Sequence, residues 1–211
     1  MLEWLGGGKG RRLLDVGAAD GLLSRHLTER GWQVTAIERD PARASAGASY
    51  CERMLVADLD QGIPELDGLF DVIVYADVLE HLVDPLRVIT ALNHLLGRGG
   101  LVVMSIPNIA HLWVRLSLLM GRFDYTDRGL LDRTHLRFFT YRTLESLIAD
   151  AGLRIVRKTV TPVPLYQIMP SWCHGLWLAV FHEVSAMAAR RLPRLLGYQF
   201  VVLARRELDA S

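Results

Sequence analysis

The stretch Leu13-Leu14-Asp15-Val16-Gly17-Ala18-Ala19-Asp20-Gly21-Leu22-Leu23-Ser24 decides how the rest of the chain reads. An apolar run ends in Asp15, a turn of small residues follows, and helical periodicity begins near Leu22. That order predicts a strand, a tight turn and a helix whose N-terminal N–H groups face a ligand. Gly17 and Gly21 leave room for a ligand to lie against the main chain, where a Cβ would intrude. Ala19 disfavours positive φ, so its backbone is expected to be ordinary. A ligand-free βα turn or a dinucleotide site would look alike here, so the decision passes to the units that follow.

The chain has 211 residues, 51% of them hydrophobic, and residues 1–211 are read as one α/β domain with a full core. A formal net charge of +1 exerts no general pull toward nucleic acid or anionic membranes. Cys51 and Cys173 make neither a disulfide framework nor a metal spacing, which points to free thiols and a cytoplasmic setting. The first residues lack the charged and apolar parts of a secretion signal. No stretch reaches the roughly eighteen charge-free apolar residues of a membrane span. Gly6-Gly7-Gly8-Lys9-Gly10 has no Ser or Thr after the lysine and follows no strand. It reads as a short flexible leader, not a phosphate loop, with little left for an N-terminal helical lid.

Downstream, helix and strand patterns alternate. Leu22–Arg30 is helical and stops at Gly31, and Trp32–Ile37 is a second strand ending in Glu38. Glu38 follows Gly17 by about 20 residues, where a Rossmann-like site holds a ribose by its two hydroxyls. A carboxylate suits that task because it accepts from both hydroxyls at once. Ala42–Tyr50 reads as a helix and Met54–Ala57 as a third strand, followed by Asp58-Leu59-Asp60. Phe70–Ala76 is a buried fourth strand, and Asp77-Val78-Leu79-Glu80-His81-Leu82 follows it. Leu86–Leu96 is helical, Gly97–Gly100 ends it, and Leu101–Ile106 is a fifth strand. Such alternation calls for a parallel sheet with right-handed crossovers and helices on both faces.

Residues Asp15 to Gly21 resemble the D-x-G-x-G-x-G signature of class I S-adenosylmethionine-dependent methyltransferases, with Ala19 at the middle glycine. Phe70-Asp71-Val72-Ile73 and the run ending Leu79-Glu80-His81-Leu82 resemble that family's fourth-strand block, and Gly99-Gly100 before an apolar strand is also typical of it. The resemblance implies a Rossmann-like fold of seven strands in the order 3-2-1-4-5-7-6, the last strand antiparallel. It also implies S-adenosylmethionine as cofactor, held along Asp15, Gly17, Ala18, Gly21 and Glu38. Asp58 stands where the family accepts from the adenine amino group and Leu59 where it packs on the ring; Ala76, Asp77 and His81 complete the cofactor side.

Two insertions interrupt the alternation, at about 107–140 and 162–197, and both are expected on the acceptor side. In the first, Ile109, Leu112, Trp113, Leu116, Leu119 and Met120 share a helical face opposite His111 and Arg115. The aperiodic run Gly121–Thr140 that follows is long enough to be functional. Tyr141–Ala151 reads as a helix, Leu153–Val160 as a sixth strand and Tyr198–Ala204 as a seventh. Ser171–Arg191 is helical, with Trp172, Leu176, Trp177, Val180, Phe181, Val184 and Met187 on a wide apolar arc. That arc suits a second copy of the chain or a membrane surface, and equally a lid folded over the pocket.

In related methyltransferases a histidine just before the helix leading to strand six often lines the acceptor pocket, and His135 matches that place. A hydroxyl acceptor needs a base, so His135 is the candidate catalytic residue, with Tyr125, Asp132 and Arg137 shaping the pocket. Arg137 suits an anionic acceptor. No His, Cys, Asp and Glu cluster has metal-ligand spacing. The expected partner is a small-molecule acceptor: a sugar, a lipid-linked glycan or a natural product. A nucleic-acid substrate is disfavoured by the charge and by the missing N/D-P-P-Y/F motif after strand four. Pro107–Thr140 also resembles a branch of small bacterial methyltransferases tied to cell-surface polysaccharides, and the methyltransferase-like protein of methionine biosynthesis. The latter leaves open a cofactor-binding partner protein, as an acidic acceptor leaves open a carboxyl methyltransferase.

Overall fold

The computed structural model describes residues 2–207. Its strands are β1 (Arg12–Val16), β2 (Gln33–Glu38), β3 (Arg53–Val56), β4 (Phe70–Ala76), β5 (Leu96–Pro107), β6 (Leu153–Thr161) and β7 (Gln199–Arg206). They form one sheet of order β3-β2-β1-β4-β5-β7-β6. β1 to β5 pair in parallel, and β7 runs antiparallel between β5 and β6. This is the order expected from the sequence.

Alternation along the central strands assigns each residue a side. On one face Leu14, Ile73, Tyr75, Val102 and Met104 pack with α4 (Pro85–Asn93) and α6 (Tyr141–Asp150). On the other, Leu13, Val72, Val74 and Val103 meet α2 (Leu22–Thr28) and the short α1 (Leu2–Leu5). A third helix, α3 (Pro41–Gly47), is capped by Asp40, whose carboxylate accepts from the Ala42 and Arg43 N–H groups. That cap positions the chain leaving β2. Helix α4 ends at Asn93, and Gly97–Gly100 bulges out of β5, so the β4 register jumps from Phe70↔Leu96 to Val72↔Leu101.

The glycine leader is not loose. The Gly8 N–H donates to the Arg30 carbonyl at 2.9 Å and the Gly10 N–H to Gly31 at 2.9 Å. A Cβ on Gly8 would lie 2.5 Å from backbone atoms of Gly31 and Trp32. Absence of side chains here serves close backbone pairing, not flexibility.

Both insertions leave the same end of the sheet, since Pro107 and Thr161 each pair with Gln199. Asn108 fastens them together. It is fully buried, its Nδ2 donates to the Gly197 carbonyl at 2.8 Å, and its N–H donates to Tyr198 at 2.9 Å. Helix α5 (Leu112–Leu119) reverses the expected face. His111 caps it by accepting the Trp113 N–H, and Val114 is its buried residue, packed with Leu130 and Leu131. Trp113, Leu116 and Leu119 face outward.

In the second insertion α7 (Leu165–Ile168) and a short turn at Ser171–Cys173 precede α8 (Leu176–Arg191), and α9 (Pro193–Leu196) leads into β7. α8 is inside out. It buries Leu178, Ala186 and Ala189, with His182 and Ser185 half buried, while the aromatic arc is exposed. Among the described residues no helix is long and apolar enough to cross a membrane.

Candidate active site

The carboxyl ends of β1, β2 and β4 enclose a cavity of about 460 Å³. After β1 the chain turns tightly, with Gly17 at φ 74° and Ala19 at φ 51°. A Cβ on Gly17 would sit 2.5 Å from Val78 Cγ2, so this position has no space for another residue. Ala19 corrects the expected ordinary backbone. Its left-handed conformation costs about 1–2 kcal/mol, and Glu38 holds it there: Oε2 accepts the Ala19 N–H at 2.8 Å. Glu38 Oε1 accepts the Asp40 N–H at 2.9 Å, so one buried carboxylate ties the turns after β1 and β2 together. Each oxygen keeps a second lone pair for a ribose hydroxyl.

Gly17, Glu38, Asp58, Leu59, Ala76, Asp77 and His81 line this cavity. Asp15, Ala18 and Gly21 do not. Asp15 is buried beneath it and accepts the Ser24 hydroxyl at 2.7 Å; burial lifts its pKa to about 6. Gly21 is the left-handed cap of α2. Ala19, the middle position of the glycine signature, also lines the cavity, as do Arg39, Arg43 and Thr134, which carried no sequence signal of their own. Thr134 could be found only through the folding of the first insertion.

Asp77 is the junction. At φ 52° it turns its carboxylate to accept the Ser105 hydroxyl at 2.7 Å and two contacts from Gln199 Nε2, at 3.0 and 2.9 Å. Crowding from these strand ends desolvates the carboxylate and raises its pKa. Asp77 also borders a second cavity of about 640 Å³, walled by Arg128 and Gly129 of the first insertion and by Pro162, Gln167 and His182 of the second. The face of α8 opposite its aromatic arc therefore helps to close a cavity beside the cofactor side.

His135 packs edge-on against His81, ring centroids 4.9 Å apart. Burial, then the neighbouring His81, holds its imidazole below the ordinary pKa and therefore neutral. Neither His135 nor any of the other expected acceptor residues lines either cavity. Tyr125 is exposed against Phe123, Arg137 donates its Nε to the Val83 carbonyl at 3.1 Å, and Asp132 accepts both the N–H and the hydroxyl of Thr134. Arg128 is the cation that reaches the second cavity.

Glu80, absent from the sequence-derived site, is 1% exposed, and neither carboxylate oxygen has a hydrogen-bond partner. Burial pushes its pKa up to about 8. Its main-chain carbonyl accepts from Leu136 at 2.8 Å and Arg137 at 3.0 Å, which folds the first insertion back onto the turn after β4. Although no linear spacing marks a metal site, that fold brings ligand atoms of Glu80, His81 and His135 within 4.8 Å of one another.

Residues 2–158 match the family described as Methyltransferase domain. The chain belongs to this family. The ubiquinone biosynthesis O-methyltransferase of Psychrobacter arcticus is 31% identical over 195 residues, covering 88% of this chain and 73% of that protein. Its counterpart in Psychrobacter cryohalolentis is 33% identical over 194 residues, covering 87% and 72%. The fold superposes on magnesium protoporphyrin IX methyltransferase of Synechocystis PCC 6803, crystallised with S-adenosylhomocysteine, at a TM-score of 0.65 and 18% identity, covering 97% of this chain and 80% of that one. A methyltransferase of Methanosarcina mazei gives 0.66 and 15%, covering 95% and 94%. The chain is an S-adenosylmethionine-dependent methyltransferase. The built turn at Gly17, the buried Glu38 and the cavity between the strand ends fit that cofactor.

Proposed function

We propose that this methyltransferase methylates a hydroxyl oxygen of a small acceptor, a sugar, lipid-linked glycan or natural product, held in the cavity between the two insertions. The observation that carries this reading is Asp77, whose side chain borders both the cofactor cavity and the cavity walled by Arg128, Gln167 and His182. A shared residue sets the two cavities side by side, as transfer between a cofactor in one and an acceptor in the other requires. The relatives in Psychrobacter, named as O-methyltransferases, support oxygen as the acceptor atom.

The bound cofactor supplies an electrophilic methyl on a sulfonium sulfur. This chain's residues do the rest. Glu38 would hold the ribose, Asp58 and Leu59 would receive the adenine, and Asp77, fixed by its Gln199 and Ser105 bonds, stands at the junction. A neutral hydroxyl is a poor nucleophile until its proton leaves, and we assign that proton to the His135 imidazole, which lines neither cavity itself but packs on the cavity-lining His81. Arg128 gives the acceptor cavity a cation suited to a phosphate or sugar acid.

The test is turnover of S-adenosylmethionine against pooled phenols, sugars and lipid-linked sugars, read by mass spectrometry. His135→Gln is assayed in parallel for turnover and cofactor affinity. A selective loss of turnover, on the order of 10²–10⁴-fold, supports the reading. Methylation of carboxylic acids alone, with His135→Gln fully active, overturns it.

A further inference from the structure

Tyr198 stands just ahead of β7, and its main chain is clamped between the two insertions. Its N–H donates to the Thr161 carbonyl at 2.8 Å, and its carbonyl accepts the Asn108 N–H at 2.9 Å. The ring packs with Val114, Leu130 and Leu131 and meets His111 edge-on, ring centroids 6.2 Å apart. Backbone and ring are therefore fixed, and the hydroxyl comes to rest against Gly129 of the first insertion. A Cβ on Gly129 would lie 2.8 Å from that oxygen, and Gly129 has φ 95°, where side chains are rarely tolerated. The insertion thus lacks a side chain at the point where the Tyr198 hydroxyl reaches the second cavity, which both residues line. Among the described residues that hydroxyl has no hydrogen-bond partner. Burial, then the Asp77 carboxylate, raises its pKa, so at neutral pH it is a donor.

Arg128 precedes Gly129 and lines the same cavity. The acids near it in the chain are already engaged. Asp127 pairs with Arg133 at 2.8 Å, and Asp132 accepts the N–H and the hydroxyl of Thr134. Asp77, the carboxylate on the cavity wall, is taken by Ser105 and Gln199, and Gln199 Oε1 in turn accepts the Thr161 hydroxyl at 3.1 Å. Arg128 has no acidic partner among the described residues. Its guanidinium belongs to residue 128 and the phenol meets residue 129, so two free donors serve one corner of the cavity. A guanidinium beside a hydroxyl donor suits an oxyanion. Asp77 repels the same group. An anionic ligand is thereby oriented, its acid at this corner and its neutral part toward the junction with the cofactor cavity.

We propose that Arg128 and Tyr198 together hold the carboxylate or phosphate group of an anionic acceptor, and that Gly129 keeps the space this contact needs. The acceptor is then a hydroxylated acid whose hydroxyl is presented at Asp77, a statement that rests on the hydroxyl-acceptor reading. Tyr198 and Arg128 are specificity-determining residues in this arrangement, and neither moves a proton.

The experiment titrates the full chain, saturated with S-adenosylhomocysteine, with acid and neutral probes of matched shape. Glucuronate and glucose 6-phosphate are set against glucose, and 3-hydroxybenzoate against 3-hydroxybenzamide, which separates carboxylate from phosphate. At least one acid is expected to bind about tenfold or more tighter than its neutral counterpart. Tyr198→Phe and Arg128→Gln should each cut that preference by roughly tenfold or more, as for a lost bond to a charged group. Affinity for S-adenosylhomocysteine should stay within about twofold of the parent. Gly129→Ala should act as Tyr198→Phe does; the latter keeps the packed ring and decides the matter even if Gly129→Ala fails to fold. Neutral probes bound as tightly as the acids, no saturation by any acid at millimolar concentration, or a preference unchanged in Tyr198→Phe overturns the proposal. Turnover with S-adenosylmethionine separates this inference from the reading beneath it. A base-labile methyl ester on the acid group would overturn both. A stable methyl ether formed equally well on acid and neutral probes would leave the hydroxyl reading standing and remove this one.

Discussion

Glu38→Gln separates the two tasks of the carboxylate that joins β1 to β2. In the folded chain Oε2 accepts the Ala19 N–H at 2.8 Å and Oε1 the Asp40 N–H at 2.9 Å, both by charge-assisted bonds in a buried setting. The amide keeps one oxygen and turns an NH₂ group toward the other N–H. One bond to a charged group is therefore lost, about 1.5–3 kcal/mol. For a domain of this size that lowers the melting temperature by roughly 3–12 °C, at about 2–4 °C per kcal/mol. The same substitution removes a charged acceptor from the ribose, and a loss of about 1.5–3 kcal/mol there raises the dissociation constant roughly tenfold to 150-fold. Calorimetric titration with S-adenosylmethionine and with S-adenosylhomocysteine, next to thermal melts, reads both effects. Cofactor affinity within about twofold of the parent, with the melt lowered as expected, would refute the ribose role and leave Glu38 a purely structural clasp. An unchanged melt would refute the clasp itself.

Asp15→Asn should stabilise the chain at neutral pH and not in acid. Its folded pKa of about 6 lies above the ordinary 3.8, so ionisation costs stability as pH rises from 3.8 toward 6. The cost reaches about 3 kcal/mol above that window. Asparagine can still accept from the Ser24 hydroxyl, so melts should show a gain at pH 7.5 that vanishes near pH 4. Ala19→Gly should raise stability by up to about 1 kcal/mol, because φ 51° strains alanine and not glycine; a lower melting temperature would contradict that conformation. Asn108→Ala should cost roughly 1–3 kcal/mol for the orphaned Gly197 carbonyl and Ala110 N–H. It should also speed proteolysis within 162–197, whereas an unchanged cleavage pattern would mean that Asn108 does not fasten the second insertion.

The cofactor half of the molecule was legible because its information is local. A strand of period two, a turn of small residues and an acid at the next strand's end each lie within a few residues of the atoms they position. Gly17, Glu38, Asp58 and Asp77 reach one cavity for that reason. Local reasoning failed at Ala19 for an equally physical cause. Its own preference opposes φ 51°, and the group that overrides it, Glu38, is 19 residues away. The leader misled in the opposite sense, since backbone-to-backbone bonds such as Gly8 to Arg30 leave no trace in a side-chain pattern.

The half built by the insertions was legible in outline only, and α5 shows why, while the exposed arc of α8 is among the outcomes its sequence left open. Assigning a helix face from apolar periodicity assumes that burial against the core is what places the helix. Here other forces do so. The His111 cap and Val114 orient α5, and Asn108 holds the chain after α9 through Gly197. Leu178, Ala186 and Ala189 allow α8 to pack closely on its small-residue side. Apolar surface spent on neither helix's seat is left facing out, at about 25 cal/mol per Å² of unfavourable hydration. A sequence that keeps Trp113, Trp177 and Phe181 exposed while placing alanines inside has not used its largest hydrophobic side chains for folding. The same inversion puts His182 on the wall of the second cavity. One helix thus borders the second cavity with its inner face and offers an apolar surface with its outer one. A change on the outer face, which reaches neither cavity, should leave cofactor affinity in calorimetric titration intact.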